Sequence, residues 1–208
     1  MEFYEVLEKR RTYRDYSDRE VSDDILARVI SAAFKAPTND HMRRLEFVVI
    51  RGKENIAKVI APLAKNMAAF KDLVFELDDT GDDDKMAMFA DALPKQQRML
   101  MQSGLLVIPF YNQKQRPLLR PVEQSSLNYF ASAWCALENM LLAATDEGLG
   151  AVFHIPVADE AEQIKKLVNA PEGYEFICLL TMGYPAEGAF LPRQKEIVIN
   201  RRIHIGSF

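Results

Sequence analysis

One long apolar segment limits the possible folds of this chain more than any other feature. From Ser125 to Glu147 the spacing predicts a single helix with apolar side chains on nearly all faces, at Leu127, Phe130, Trp134, Leu137, Leu141 and Leu142. Such a helix has almost no polar face for solvent, so we expect it at the centre of a fold or in an interface. Gly148 follows directly and suits the left-handed residue that ends many helices.

The remaining chain alternates short helices and short strands. We predict a first helix from Phe3 to about Arg10, a second that Ser22 caps, and another near Asp159–Val168. Apolar runs predict strands at Leu45–Ile50, Leu105–Tyr111, Ala151–Ile155 and Phe176–Met182. No internal repeat or linker interrupts this order, which indicates one domain over residues 1–208 with a helical and acidic insertion around residues 66–101.

Composition excludes several classes of protein. The chain has 208 residues, of which 49% are hydrophobic, and a net charge of −4 gives no support to a nucleic-acid or anionic-membrane partner. No apolar run reaches the roughly 18 residues of a membrane helix. Cys135 and Cys178 form no Cys-x-x-Cys motif, and we expect both to be buried free thiols. These features, with an N-terminus that lacks an apolar signal core, favour the cytoplasm.

Four polar segments are candidates for a binding site. Arg10, Arg11, Thr12 and Arg14 lie between two helices and suit a phosphate monoester, although an isolated cluster of this kind is more often a solvated basic turn. The loop from Pro37 to Arg43 carries Thr38, Asn39 and His41 and could hydrogen-bond a heterocycle, or be only a turn. Gly148 and Gly150 allow a close backbone approach or a helix end. Arg193 and Lys195 add two cations near the C-terminus.

Metal sites and acid–base machinery find no support in the sequence. His41, His154 and His204 lack metal-ligand spacing. The acidic run Asp78–Asp84 has Gly81 misplaced for a calcium loop and Phe89 where the twelfth-position Glu is needed, which favours a solvated acidic loop. We therefore predict no metal and no catalytic side chain.

Taken together, the four segments resemble the FMN-binding nitroreductases over nearly the whole chain. The family's Arg-Arg-Ser-x-Arg loop, which holds the FMN phosphate, is similar to Arg10–Arg14. The other matching motifs are Ala36-Pro37-Thr38, Glu147-Gly148-Leu149-Gly150, Pro171-Glu172-Gly173-Tyr174, Gly183-Tyr184-Pro185, and the basic pair Arg193 and Lys195. They occur in the order and spacing of that family.

The resemblance implies an α+β three-layer sandwich with a mixed, mainly antiparallel sheet flanked by helices. It also implies a homodimer with a swapped C-terminal segment and FMN between the subunits. Electrons would pass from NADH or NADPH by a ping-pong mechanism to a small organic acceptor such as a nitroaromatic or quinone, and flavin N5 would carry the hydride. The residues implied in FMN binding are Arg10, Arg11, Thr12, Arg14, Pro37, Thr38, Asn39, His41, Arg43, Ile155, Pro156, Arg193 and Lys195.

Two departures from the family pattern leave the acceptor open. The common Asn-x-Gln-Pro-Trp is here His41-Met42-Arg43-Arg44-Leu45, so His41 and Arg43 are expected to meet the pyrimidine side of the flavin. Small residues usually follow Gly-Leu-Gly, whereas this chain has Phe153-His154-Ile155-Pro156. Alternatives are an FMN-dependent dehalogenase or flavin-modifying relative, and a flavin-binding or regulatory protein without turnover. The segment Met67–Met101 could be a lid over the flavin or ordinary helix packing.

Overall fold

The computed structural model describes residues 1–41, 44–64, 83–112, 128–157, 159–194 and 196–207. Its helices are α1 (Phe3–Lys9), α2 (Asp23–Ala33), α3 (Lys53–Ile60), α4 (Asp83–Ala92), α5 (Gln96–Gln102), α6 (Asn128–Asp146) and α7 (Glu160–Leu167). Its strands are β1 (Leu45–Arg51), β2 (Leu105–Asn112), β3 (Gly150–His154), β4 (Tyr174–Phe176) and β5 (Leu179–Gly183). Ser22 caps α2 as predicted, because its hydroxyl accepts a hydrogen bond from the Ile25 amide.

The strands form one sheet in the order β1-β2-β5-β3, with β4 paired to β2 beyond the end of β5. Every ladder between these strands is antiparallel, and a single parallel bridge joins Thr12 to Ala151. The predicted strand Phe176–Met182 is therefore two strands. Pro109 lies in β2 between the two ladders and has no amide hydrogen to donate, which explains the interruption.

The fold is a three-layer α+β sandwich, because successive residues of a strand point to opposite faces of the sheet. Leu105, Val107 and Leu180 pack on one face with α2 and α6, whereas Leu106, Ile108 and Leu179 pack on the other with α3, α5 and α7. Each helical layer thus has its own apolar core against the sheet. No helix within the described ranges is long and apolar enough to cross a membrane.

Helix α6 is the central element that the sequence predicted, although only one side of it is covered. Ala133, Leu137, Met140 and Ala144 are buried against the sheet and α2, whereas the side chain of Phe130 is 44% exposed. Gly148 ends the helix with φ +76°, as expected for its position. The expectation for Cys135 is wrong: it lies on the uncovered side of α6 and is exposed, whereas Cys178 is buried.

The segment around residues 66–101 is helical in its described part. Asp83 and Asp84 are not loop residues as predicted but form the first turn of α4, where carboxylates are favourable beside the positive helix end. The rest of the acidic run, from Asp78 to Asp82, lies outside the described residues. Near the C-terminus a short 3-10 helix covers Ile199–Arg201, and the isoleucines around it are exposed.

Candidate functional site

A cavity of about 340 Å³ gathers five of the predicted cofactor residues. Its walls include Arg10, Arg11, Thr12 and Arg14 from the loop after α1, and Arg193 from the C-terminal segment. Asp84, Lys85 and Met88 of α4, with Pro192 and Gln194, complete the lining. The fold therefore brings cations that are far apart in sequence to one cavity. A solvated basic turn would give no reason for Arg193 to lie beside Arg10–Arg14.

The loop from Arg10 to Tyr16, here named the cation loop, is fixed on several sides. The Tyr13 amide donates to the Ala151 carbonyl of β3 at 3.2 Å, beside the Thr12–Ala151 bridge. The buried Tyr16 hydroxyl donates to the Tyr13 carbonyl at 2.8 Å. Arg11 donates to the Pro192 carbonyl, which joins the loop to the C-terminal segment. These contacts hold the backbone of the cation loop in place before any ligand binds.

Gly150 has a packing role that the sequence left open. A Cβ atom at this position would lie 2.5 Å from Cβ and Cγ of Tyr13, so only glycine allows the cation loop to reach β3. Gly148 has open space around its Cα and serves the helix end through its positive φ. The Gly-Leu-Gly segment thus supports the cavity indirectly, through the cation loop.

The cations of the loop differ in their electrostatic surroundings. Arg10 is half-buried, with its Nε 3.8 Å from a Glu138 carboxylate oxygen. Arg14 is only 9% exposed and its Nη1 lies 3.6 Å from Oδ2 of Asp91. Burial lowers the pKa of Arg14, and the charge of Asp91 opposes that shift. Arg14 is therefore part of the packed interior, which a solvated loop residue would not be.

The second predicted segment lies apart from this cavity. Thr38 and Asn39 line a small pocket with Tyr111, Tyr129 and Ser132, and the backbone N–H of Asn39 donates to the Ser132 hydroxyl at 2.9 Å. Pro37 and His41 are exposed, and His41 has a positive φ of 54°. Arg43 and Lys195 lie outside the described residues. In one copy of the chain, Pro37, Thr38, Asn39 and His41 do not line the cation cavity.

Arg44 is a buried cation that the sequence analysis did not single out. It is 8% exposed, donates to the Tyr111 hydroxyl at 3.2 Å, and places its guanidinium carbon 5.3 Å from the centre of the Tyr129 ring. The sequence instead predicted flavin contact for its neighbour Arg43, because that position departs from the family motif. A cation directly before a buried strand was the only available signal, and it did not distinguish the two residues.

The end of β3 carries a second residue that the sequence analysis missed. His154 places Nδ1 2.8 Å from Oε1 of Gln96, while its Nε2 is buried without a hydrogen-bond partner in the described part of the chain. An amide oxygen only accepts, so Nδ1 carries the proton and Nε2 offers a lone pair. Burial lowers the pKa of His154, and the charge of Glu160 opposes this. The predicted residues Ile155 and Pro156 follow, with Ile155 60% exposed.

The donor set fits a phosphate monoester better than a neutral or cationic ligand. Guanidinium groups bind phosphate oxygens through paired N–H donors, and the Thr12 hydroxyl adds a further donor. One carboxylate, that of Asp84, lies among the cavity residues beside Lys85. The residues present are therefore compatible with the terminal phosphate of FMN.

Comparison with known proteins decides the family. The model of the nitroreductase family matches residues 7–184, which spans the cation loop, both glycines and the whole sheet. This chain belongs to the nitroreductase family. It is 28% identical over 99% of its length, and 87% of the other protein, to a "Putative NADH dehydrogenase/NAD(P)H nitroreductase" of Methanothermobacter thermautotrophicus. It is 26% identical to an iodotyrosine deiodinase of Haliscomenobacter hydrossis, over 92% of this chain and 82% of that protein.

Solved structures with little sequence identity to this chain share its fold. An iodotyrosine deiodinase bound to FMN and 3-iodo-L-tyrosine superimposes with a TM-score of 0.76 at 17% identity, covering 99% of this chain and 100% of that one. An FMN-dependent nitroreductase of Clostridium difficile R20291 gives a TM-score of 0.68 at 20% identity, with 98% of both chains covered. The predicted family and fold class are confirmed. Membership of the nitroreductase family suggests oxidoreductase activity, and the family and its FMN-containing structural neighbours support a flavin cofactor.

Proposed function

We propose that this protein is an FMN-dependent NAD(P)H oxidoreductase that passes electrons to a small organic acceptor by a ping-pong mechanism. One observation carries the proposal: Arg10, Arg11, Thr12 and Arg14 share a cavity with Arg193, although nearly the whole chain separates them. A terminal phosphate is the group that such a cavity suits best. FAD has no terminal phosphate monoester, so the cavity favours FMN over FAD.

The side chains of the cavity bind and orient, and the chemistry belongs to the cofactor. Bound FMN supplies hydride transfer at its N5 atom. Arg10, Arg11 and Arg193 would neutralise the phosphate charge. The backbone of the cation loop, which is fixed to β3, would set the position of the phosphate relative to that strand. Ile155 and Pro156, at the exit of β3, are proposed to pack against the ring system. No side chain is assigned as a general acid or base.

A second copy of the chain is part of the proposal. In one copy of the chain, the walls of the cation cavity do not include Thr38, Asn39 or His41. A flavin that contacts both the cation cavity and these three residues would therefore have to bind between two copies. Four isoleucines of the C-terminal segment are 60–95% exposed, and residues 196–207, as described, form no strand. These isoleucines are Ile197, Ile199, Ile203 and Ile205. We propose that this segment crosses to the partner in a homodimer. The cytoplasmic location stays a prediction.

The test begins with the flavin itself. The purified protein is expected to be yellow and to release FMN, identified by chromatography, when it is denatured. Release of FAD, or failure to take up any flavin on reconstitution, would contradict the proposal. Anaerobic mixing with NADH and with NADPH then shows whether the bound flavin is reduced at a useful rate. A flavin that neither nucleotide reduces would favour the binding protein without turnover.

Reductive dehalogenation is a second candidate, because several curated relatives of this chain are iodotyrosine deiodinases. The decisive measurement is an acceptor screen that follows reoxidation of the reduced flavin. Nitroaromatics and quinones are compared with iodinated and chlorinated phenols, and released halide is measured. If the amount of halide released equals the amount of flavin reoxidised, dehalogenation becomes the proposed activity in place of nitro or quinone reduction. The proposed FMN site would stay unchanged.

A further inference from the structure

We propose that Asp91 is a positioning residue that orients Arg14 towards the cofactor phosphate and ties helix α4 to the cation loop. This inference rests on the proposed FMN site. It assigns a role to a carboxylate on α4, in a segment for which the sequence offered only a lid or ordinary packing. The observations that support it are a group of close charges, their burial, and an acceptor oxygen without a hydrogen bond.

A network of charged side chains joins the cation loop to the segment from α4 to α5. Lys95 contacts both Asp15 and Asp91, and Arg14 faces Asp91 from the other side. Arg98 reaches Asp15 from the surface at 2.7 Å, with its own side chain 57% exposed. The two carboxylates thus lie between three cations, and the group keeps an excess of positive charge next to the cavity.

Burial makes the inner part of this network sensitive to the loss of any one of its charges. The side chains of Arg14, Asp91 and Lys95 are 10%, 9% and 14% exposed. Charges at this depth are screened less than surface pairs, and removing one partner leaves the other buried without compensation. Burial by itself lowers the pKa of Lys95, but hydrogen bonds to Asp15 and Asp91 outweigh it and the pKa is raised. Lys95 therefore stays charged and holds Asp91 in place.

The geometry between Arg14 and Asp91 leaves the donors of Arg14 available. Nη1 of Arg14 and Oδ2 of Asp91 are 3.6 Å apart, and Oδ2 is buried with no hydrogen-bond partner among the described residues. This separation is longer than a hydrogen bond, so the carboxylate attracts the guanidinium without occupying its N–H groups. Arg14 also lines the cation cavity. Its donors can therefore bind an anion there.

The same helix forms part of the cavity wall. Asp84, Lys85 and Met88 of α4 line the cavity, and Asp91 lies farther along α4 at the contact with the cation loop. A phosphate that binds Arg14 therefore acts on α4 through Asp91. Asp91 has two opposing effects on phosphate binding. It orients Arg14 towards the phosphate, but its own negative charge repels the phosphate. We infer that the positioning effect is the larger one, since the Asp91 charge is already balanced by Lys95.

The experiment compares two ligands that differ only in the phosphate. The apoprotein of the parent and of Asp91→Asn is titrated with FMN and with riboflavin, following the quenching of flavin fluorescence. Asp91→Asn is expected to bind FMN about tenfold more weakly, as when one charge-assisted hydrogen bond is lost, and riboflavin almost unchanged. Asp91→Glu keeps the charge and should recover most of the FMN affinity. Arg98→Gln is the matched control, because it removes an exposed partner of the same network.

Each other outcome has a defined meaning. Equal weakening for both flavins would show a merely structural role, and unchanged or tighter FMN binding would show that repulsion outweighs positioning; either overturns the inference. If Asp91→Asn does not fold, Asp91→Gln, which has the length of Asp91→Glu without its charge, is compared with Asp91→Glu. An equal preference for FMN over riboflavin in these two variants overturns the inference. If the parent apoprotein itself does not prefer FMN to riboflavin, the proposed FMN site fails, which is distinct from failure of the Asp91 role.

Discussion

At the scale of single residues, the basic motif after α1 contains cations with different tasks. Arg11 joins the cation loop to the C-terminal segment through the Pro192 carbonyl. Arg10 is half-buried beside Glu138, while Arg14 belongs to a buried ion network. The sequence shows only that these residues are basic and close together. Their substitutions should therefore have separate consequences for cofactor binding and for stability.

Replacement of Arg10 by Ala should weaken FMN binding by about 1.5–3 kcal/mol, the range for a charge-assisted hydrogen bond. The free energy of unfolding should change little, because Arg10 is partly exposed and its carboxylate neighbour Glu138 is accessible to solvent. Flavin titration and thermal unfolding of the apoprotein measure the two effects. Arg28→Ala is the control, since Arg28 forms an exposed pair with Glu147 away from the cavity. Equal FMN affinities in the parent and Arg10→Ala would show that Arg10 is a surface cation that does not bind the cofactor.

His154 should make stability depend on pH. Its folded-state pKa lies below its ordinary value of 6.5, so the unfolded chain takes up the proton first. The unfolded state then binds more protons, and the free energy of unfolding falls as pH drops below about 6.5. His154→Asn keeps a donor for Gln96 without the titration, and its stability should fall less between pH 7 and pH 5. Urea unfolding of both proteins across this range checks the prediction. Parallel pH profiles would contradict it.

At the scale of elements, the approach of the cation loop to β3 depends on one glycine. Gly150→Ala would place Cβ 2.5 Å from the near end of the Tyr13 side chain, where rotation cannot relieve the contact. We expect a loss of about 1–3 kcal/mol of stability, typical of overpacking, together with weaker FMN binding. Gly148→Ala is the matched control, because it has space and strains only the backbone at φ +76°. It should cost about 1–2 kcal/mol of stability and leave flavin affinity nearly unchanged.

Two measurements on each glycine variant separate a loss of stability from a loss of flavin binding. Thermal unfolding of the apoprotein gives the stability change, and flavin titration below the melting temperature gives the affinity change. If Gly150→Ala lowers stability as Gly148→Ala does, and leaves flavin affinity equally untouched, the cation loop does not need β3 for its binding conformation.

At the scale of the whole molecule, the C-terminal segment decides whether stability belongs to one chain or to two. Deletion of residues 200–208 removes Ile203 and Ile205, which are 60% and 95% exposed in a single chain. If they are buried against a partner, each contributes about 1.5–3 kcal/mol, so the deletion should dissociate the dimer and release flavin. The melting temperature of the intact protein should rise with protein concentration.

Sedimentation, flavin content and melting temperature of the truncated protein measure these effects together. Ile164→Val serves as a control for general loss of stability, because Ile164 is fully buried within one chain. It should lower the melting temperature without changing the sedimentation of the protein. A truncated protein that stays dimeric, yellow and as stable as the parent would show that the segment does not cross to a partner.

The sequence alone determined the family and the order of the elements. Periodicity located α2, β1, β2 and α6 because their apolar faces are long enough to impose a single period, and Ser22 and Gly148 marked helix ends through local backbone chemistry. The strand predicted at Phe176–Met182 was harder to place, because it is two strands in the fold. Its division around Ile177 depends on Pro109 of another strand, which no local pattern reveals.

Tertiary structure decided which of the candidate residues meet. The Arg193 contribution to the cation cavity, the burial of Arg14 and the contact of Gly150 with Tyr13 all join residues that are distant in sequence. Asp91 and His154 carried no motif, because their roles come from neighbours on other elements: Arg14 and Lys95 for one, Gln96 for the other. A motif records the type of a side chain, whereas its charge, orientation and availability depend on burial and partners that only the folded chain supplies.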